Sequence, residues 1–156
     1  MAAVLLAASV AACAGGQRPR ATGPTTTLVT VDRWTPPVLT GGPSTENFCT
    51  AVVATYKHMA QLSFAANDKV RKQFLGDYVA EAPTMIASAP PEIAPDAKLY
   101  IESVAEILAD LQRAGLNGKK ISDPQLAQLL LDPKVKAAGS NVIGFVQTNC
   151  HYSIGT

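Results

Sequence analysis

Residues 95–115 read Pro-Asp-Ala-Lys-Leu-Tyr-Ile-Glu-Ser-Val-Ala-Glu-Ile-Leu-Ala-Asp-Leu-Gln-Arg-Ala-Gly, the clearest helical pattern in the chain. Pro95 and Asp96 are residue types that favour the first turn of a helix, and Gly115 suits the left-handed residue that ends one. Leu116 after this glycine predicts a Schellman-type end. Apolar side chains three or four residues apart predict one buried stripe along the helix. The stripe consists of Tyr100, Val104, Leu108 and Leu111.

Three further main helices are predicted around this segment. The first begins at Ser44 or Thr45, both good N-cap residues, the second opens near Asp68, and the last opens at Asp132. Pro83 is expected to bend or end the second helix because proline has no backbone N–H. The inward positions of the three helices are, in order, Phe48, Cys49, Val52, Val53, Tyr56, Met59 and Ala60; Val70, Phe74, Tyr78, Val79 and Ala82; and Val135, Val142, Phe145 and Val146.

A short helix over residues 125–131 is expected in the connection between the third and last main helices. The preceding Ser122-Asp-Pro-Gln125 has the spacing of a capping box. These elements predict an all-α fold, an up-down bundle of four main helices with the short helix in the final crossover. The domains expected are a signal peptide over residues 1–12, a linker over 13–43 and the helical body over 44–156.

The first thirteen residues form an uncharged apolar run that ends in Val10-Ala11-Ala12-Cys13. The run is well short of the ~20 residues that a transmembrane helix needs, and it has the length of an export signal's core. Val10-Ala11-Ala12-Cys13 resembles a bacterial lipobox, and the whole chain resembles small lipoproteins of high-GC Gram-positive bacteria. The resemblance implies cleavage before Cys13, lipidation of that cysteine, and anchoring at the extracytoplasmic face of the cell membrane.

Two features of this region lead to further expectations. Ala12-Cys13-Ala14 also reads as an ordinary signal peptidase site, and cleavage there would free the protein. No Lys or Arg precedes Arg18, although export signals carry a basic first segment, so we expect the true start to lie upstream.

The linker over residues 13–43 is rich in Gly, Pro and Thr, a composition that cannot build a core and predicts a disordered tether. Residues 28–34 are an exception, because they are β-prone and include the only tryptophan, Trp34. We expect this segment to attach to the helical body. An exposed docking strand is the alternative.

Cys49 and Cys150 are the two cysteines left once Cys13 is assigned to lipid. In an exported chain an even pair predicts one disulfide. The bundle supports the pairing, since the start of the first helix and the finish of the fourth lie at the same end. The alternatives are two buried thiols or a redox pair, the latter weak without a Cys-x-x-Cys spacing.

The remaining polar residues give few candidates for chemistry. His58 falls on the polar face of the first helix and is expected to be a solvated surface histidine. His151 follows Cys150, but one Cys-His step lacks the ligands that zinc needs. A row of carboxylates on the third helix is expected to be an ordinary solvated face. A basic cluster on the second helix is expected at the surface, where it could touch anionic lipid headgroups. The row is Glu102, Glu106 and Asp110, bracketed by Lys98 and Arg113; the cluster is Lys69, Arg71 and Lys72.

Composition and the absence of several motifs reduce the number of functional classes that fit the sequence. A formal charge of +1 and 6% aromatic residues give no reason to expect a nucleic-acid partner. The sequence holds no nucleophile elbow, zinc-protease motif, phosphate loop or calcium loop, which favours a protein that is not an enzyme and needs no cofactor. We therefore expect a binding domain that contacts an envelope protein or another envelope component.

The alternative function is a carrier of a small hydrophobic ligand, such as a lipid or a haem-like molecule, between the helices. The ligand would contact side chains that ordinarily fill a core. A cavity of ~300 Å³ or more opening between helices would favour the carrier, and a packed interior would favour the binding domain. The residues concerned are Tyr56, Tyr78, Met85 and Tyr100.

Overall fold

The computed structural model describes residues 34–61, 67–116, 128–129 and 131–154. Within these ranges the chain is all-helical and contains no strand, which confirms the predicted fold class. Each helix packs against the next one along the chain, and the first also contacts the fourth. The four helices are α1 (Thr45–Ala60), α2 (Asp68–Ser88), α3 (Ala94–Arg113) and α4 (Pro133–Asn149).

Side chains cap three of the helices at their first turn. The Ser44 hydroxyl accepts a hydrogen bond from the Asn47 backbone N–H at 3.1 Å, as predicted for α1. Asn67 caps α2 in the same manner, and Asp132 caps α4 through the Lys134 N–H at 2.7 Å. Each cap satisfies one of the four backbone N–H groups that a helix start leaves without partners.

The end of α3 has the predicted Schellman geometry. Gly115 adopts a φ of 72°, and the Leu116 N–H donates to the Leu111 carbonyl oxygen at 2.9 Å. Glycine tolerates this left-handed backbone because it has no Cβ. The chain therefore leaves α3 at the residue that its sequence indicates.

Helix α2 continues through Pro83 as far as Ser88, so the proline does not end it. Because proline has no N–H, the carbonyl of Val79 loses the donor that a regular helix would supply four residues later. Pro83 is exposed, so this change falls on the outer side of α2.

The bundle has a packed core to which all four helices contribute. Helix α4 comes very close to α3 at Gly139, where a Cβ atom would lie 2.9 Å from two ring carbons of Tyr100. Only a residue without a side chain fits this contact unchanged. Large side chains that are fully buried include Phe48, Val52, Phe74, Tyr78, Met85, Ile101, Val142 and Val146.

The predicted disulfide between Cys49 and Cys150 is present, with the two Cα atoms 5.2 Å apart. It joins the second turn of α1 to the residue that follows α4. The bridge closes a segment with a sequence separation of 101 residues, which contains almost the whole body.

Residues 34–43, which we call the strap, have no regular secondary structure and lie against the body. The Asn47 side-chain amide donates to the carbonyl oxygens of Thr40 and Gly42, at 2.9 and 2.8 Å. Directly after the strap, the Ser44 N–H donates to the Ser88 carbonyl at 3.0 Å. The predicted signal peptide, the linker before Trp34 and most of the short crossover helix fall outside the described residues.

Candidate functional site

His58 is buried, with 5% of its surface exposed, so the expectation of a solvated histidine was wrong. Its Nε2 atom lies 2.8 Å from Oδ2 of Asp77 on α2. The residue belongs to a second buried stripe on α1, which also contains Ala51 and Thr55. Helix α1 is therefore buried on two sides, and the side opposite Tyr56 is covered by α2 and the strap.

The imidazole of His58 contacts two aromatic rings. Trp34 at the start of the strap stacks on it, with ring centroids 4.2 Å apart and planes inclined by 20°. Phe74 of α2 lies at a centroid distance of 4.4 Å with a tilt of 41°. Trp34 thus attaches to the body, as expected. No pattern in the sequence indicates that His58 is its partner.

Glu81 lies one helical turn after Asp77 and is also buried, with 6% of its surface exposed. Burial raises the pKa of the Glu81 carboxyl, and the charge of Asp77 raises it further. Within the described residues, neither Oε2 of Glu81 nor Nε1 of Trp34 makes a hydrogen bond, although both atoms are buried. The Trp34, His58, Asp77 and Glu81 side chains form what we call the strap cluster.

Three of the residues proposed for ligand binding meet inside the bundle. The Tyr56 and Tyr78 rings pack edge to face at a centroid distance of 6.2 Å. Burial raises the pKa of both hydroxyls, and the neighbouring hydroxyls of Tyr78 and Tyr100 add to the effect on Tyr56. Met85 is fully buried in the same core. These side chains pack as core residues, the alternative to ligand binding that the sequence left open.

An open groove of about 540 Å³ lies between α2 and α3. Its apolar lining includes Val79, Ala82, Pro83 and Ile86 from α2 and Ala105 from α3. The same stretch of α3 contributes three charged side chains at helical spacing. They are Lys98, Glu102 and Glu106.

The predicted carboxylate row on α3 is interrupted at Asp110, which is buried rather than solvated, with 2% of its surface exposed. Its carboxylate accepts a hydrogen bond from Arg113 at 3.2 Å. Successive i+4 steps turn by about 40° around a helix, so Asp110 is rotated by about 80° from Glu102. Glu102 and Glu106 remain exposed beside the groove.

The other polar candidates lie at the surface, except Lys72 of the basic cluster, which is half-buried. Lys69 and Arg71 are exposed, and Arg71 pairs with Asp68 at 3.4 Å. His151 is exposed just after the disulfide. Across the part of the chain that the structure describes, no three His, Cys, Asp or Glu residues are placed to hold a metal ion.

The chain matches no protein-family model, no curated protein and no solved structure. In the described ranges, none of the helices combines the length and apolarity that crossing a membrane requires. Cys13 and the residues before it lie outside these ranges.

Proposed function

We propose that the protein is an exported lipoprotein, anchored to the membrane through Cys13, whose helical body is a non-catalytic binding domain at the cell envelope. The disulfide supports export, because disulfides persist mainly in oxidising compartments outside the cytoplasm. With Cys49 and Cys150 bridged, Cys13 is the one cysteine outside the bridge, and it ends the lipobox-like sequence.

The anchor predicts a change in where the protein is found. In cells that express the protein, replacing Cys13 by Ser should move it from the membrane fraction to the soluble fraction. Lipid chains hold a protein at a membrane because each CH₂ group that enters the bilayer contributes about 0.8 kcal/mol of binding free energy. Serine cannot form the thioether that attaches these chains. Ala14→Ser is the matched control and should stay in the membrane fraction. Unchanged partitioning of the Cys13→Ser variant would refute the anchor.

The groove between α2 and α3 is larger than ~300 Å³, but it is open to solvent and the core beneath it is packed, so it supports a binding surface rather than a carrier's cavity. An apolar lining suits an apolar partner face, and Glu102 and Glu106 suit a basic edge on the partner. The proposed partner is therefore a segment of an envelope protein with an apolar face and adjacent Lys or Arg side chains.

Two synthetic helices of equal length test this chemistry, one of Leu and Lys and one of Leu and Glu. The Leu/Lys helix should bind more tightly. Glu102→Lys combined with Glu106→Lys should weaken its binding about tenfold, as expected when two exposed attractions become repulsions. The control is Glu46→Lys with Glu92→Lys, the same charge change at exposed positions elsewhere. Equal binding of both helices would exclude the groove as the binding site. So would a control variant that weakens binding of the Leu/Lys helix as much as the Glu102 and Glu106 changes do.

The carrier of a small hydrophobic ligand remains a second proposal. The observation behind it is a surface pocket of about 290 Å³, slightly under the ~300 Å³ given above, which Tyr56 lines together with Met59, Ala60, Tyr152 and Ile154. Native mass spectrometry of the protein purified from its envelope separates the two functions. A bound small molecule, lost in a Tyr56→Ala variant, would support the carrier, whereas a mass that contains only the chain and its acyl groups would support the binding domain.

A further inference from the structure

The strap is attached to the body at two places, and Glu81 lies between them along α2. At one end Trp34 stacks on His58, which forms a hydrogen bond with Asp77. At the other end the Ser44 N–H donates to the carbonyl of Ser88. The strap therefore runs beside the part of α2 that contains Glu81, a buried carboxyl with one oxygen that makes no hydrogen bond within the described residues.

We propose that the strap is a pH-sensitive element, which docks on the body when the strap cluster holds protons and loosens when the cluster releases them. The proposal concerns residues 34–43 and the side chains beneath Trp34. It stands independently of the lipid anchor and of the groove between α2 and α3.

Net charge gives the direction of the effect. With neutral His58 and both carboxylates ionised, Asp77 and Glu81 carry two negative charges next to the docked strap, and no cation in the described parts of the chain forms an ion pair with either. One proton on His58 compensates Asp77, and a second on Glu81 removes the remaining charge. Removing net charge from water is costly, so the docked strap favours the protonated cluster. A protonated imidazole also stacks more favourably on the face of Trp34 than a neutral one.

Among the described residues, the ion pair between His58 and Asp77 is the one that involves the cluster. The strap has no titratable side chain between Trp34 and Pro43. From α2, Asp77 and Glu81 are the ionisable members of the cluster, and Phe74 is uncharged. From α1, the Lys57 ammonium lies over the Tyr152 ring, 5.7 Å from its centroid.

The sign of the pH dependence follows from these protons. Because burial raises the pKa of Glu81, the docked state holds this proton more tightly than the free state, and docking weakens as the pH rises above the ordinary value of 4.5. For each proton released, the docking constant falls by up to about tenfold per pH unit.

Trp34 is the only tryptophan in the chain, so its fluorescence reports on the strap directly. The experiment uses the full chain in detergent and measures the emission maximum and acrylamide quenching from pH 5 to 8.5. As the pH rises, the emission should move to longer wavelength and quenching should increase. Helix content, followed by circular dichroism, should stay constant, because α1 to α4 remain folded.

Three variants decide whether the strap cluster is responsible. Glu81→Gln should keep Trp34 protected to higher pH, because the neutral amide replaces a charge that opposes docking. Combining it with His58→Gln should remove the pH response, whereas His151→Gln, at an exposed histidine, should respond as the unmodified protein does. A flat response of the unmodified protein, a response that persists in the double variant, or a parallel loss of helix content would each overturn the proposal.

Discussion

Replacing both Cys49 and Cys150 by serine is expected to lower the free energy of unfolding by about 4 kcal/mol. The bridge closes a segment with a sequence separation of 101 residues, and a cross-link over so long a segment removes much of the unfolded chain's conformational freedom. The melting temperature should fall by roughly 15–25 °C, since about 1 kcal/mol corresponds to about 4–6 °C in a domain of this size. Thermal unfolding followed by circular dichroism measures the change.

Two controls accompany this measurement. Cys13→Ser should leave the melting temperature of the body unchanged, because Cys13 is not part of the bridge. Adding a thiol reductant to the unmodified protein should reproduce the loss seen in the double variant. Under denaturing conditions without reductant, Cys49 and Cys150 should show no free thiol. A loss below about 1 kcal/mol would mean that the bridge adds little to the folded body.

Gly139→Ala is expected to destabilise the protein by about 2 kcal/mol, although alanine is the better helix former. The new Cβ would lie 2.9 Å from Cδ2 and Cε2 of Tyr100, so that α3 and α4 would have to move apart or the ring would have to turn. Gly144→Ala, in the same helix, meets no atom within 4 Å and should stabilise by about 0.5–1 kcal/mol. Denaturant unfolding should give opposite signs for the two variants.

Variants at Tyr100 test the cause of this loss. In a Tyr100→Phe background Gly139→Ala should remain costly, because phenylalanine keeps both ring carbons that the Cβ meets. In a Tyr100→Ala background the same change should cost little, because the ring is gone. If Gly139→Ala stabilises the protein as Gly144→Ala does, the close approach of α3 and α4 at this point is wrong.

The helical fold was predictable because local rules decide most of it. Periodicity identified the four helices, the Ser44 cap and the Gly115 end were correct, and cysteine count with bundle geometry gave the Cys49–Cys150 bridge. These signals depend on neighbours within a few residues, or on the general topology of a bundle. Pro83 was less informative, since a proline weakens a helix locally while packing on both sides maintains it.

His58 and Asp110 were placed on solvated faces and are buried because of contacts made elsewhere in the chain. A prediction from helical periodicity treats the side of a helix opposite the core as exposed to water. On α1 that side is covered by the strap, a Pro- and Gly-rich segment whose composition gives no indication of where it packs. The groove between α2 and α3 likewise depends on how two helices meet, which the periodicity of either one does not contain.

The direction of the strap also has a mechanical consequence. Trp34 lies beside His58 in the last turn of α1, whereas the strap ends at Pro43, directly before Ser44, which caps the first turn. A pull from the N-terminal side would therefore peel the strap away one contact at a time, starting with the tryptophan, before any load reached the disulfide-closed body. Peeling all ten residues from 34 to 43 would release up to about 35 Å of chain. The released strap would then lengthen the linker, so that the body could move farther from the point of attachment while its helices remain intact.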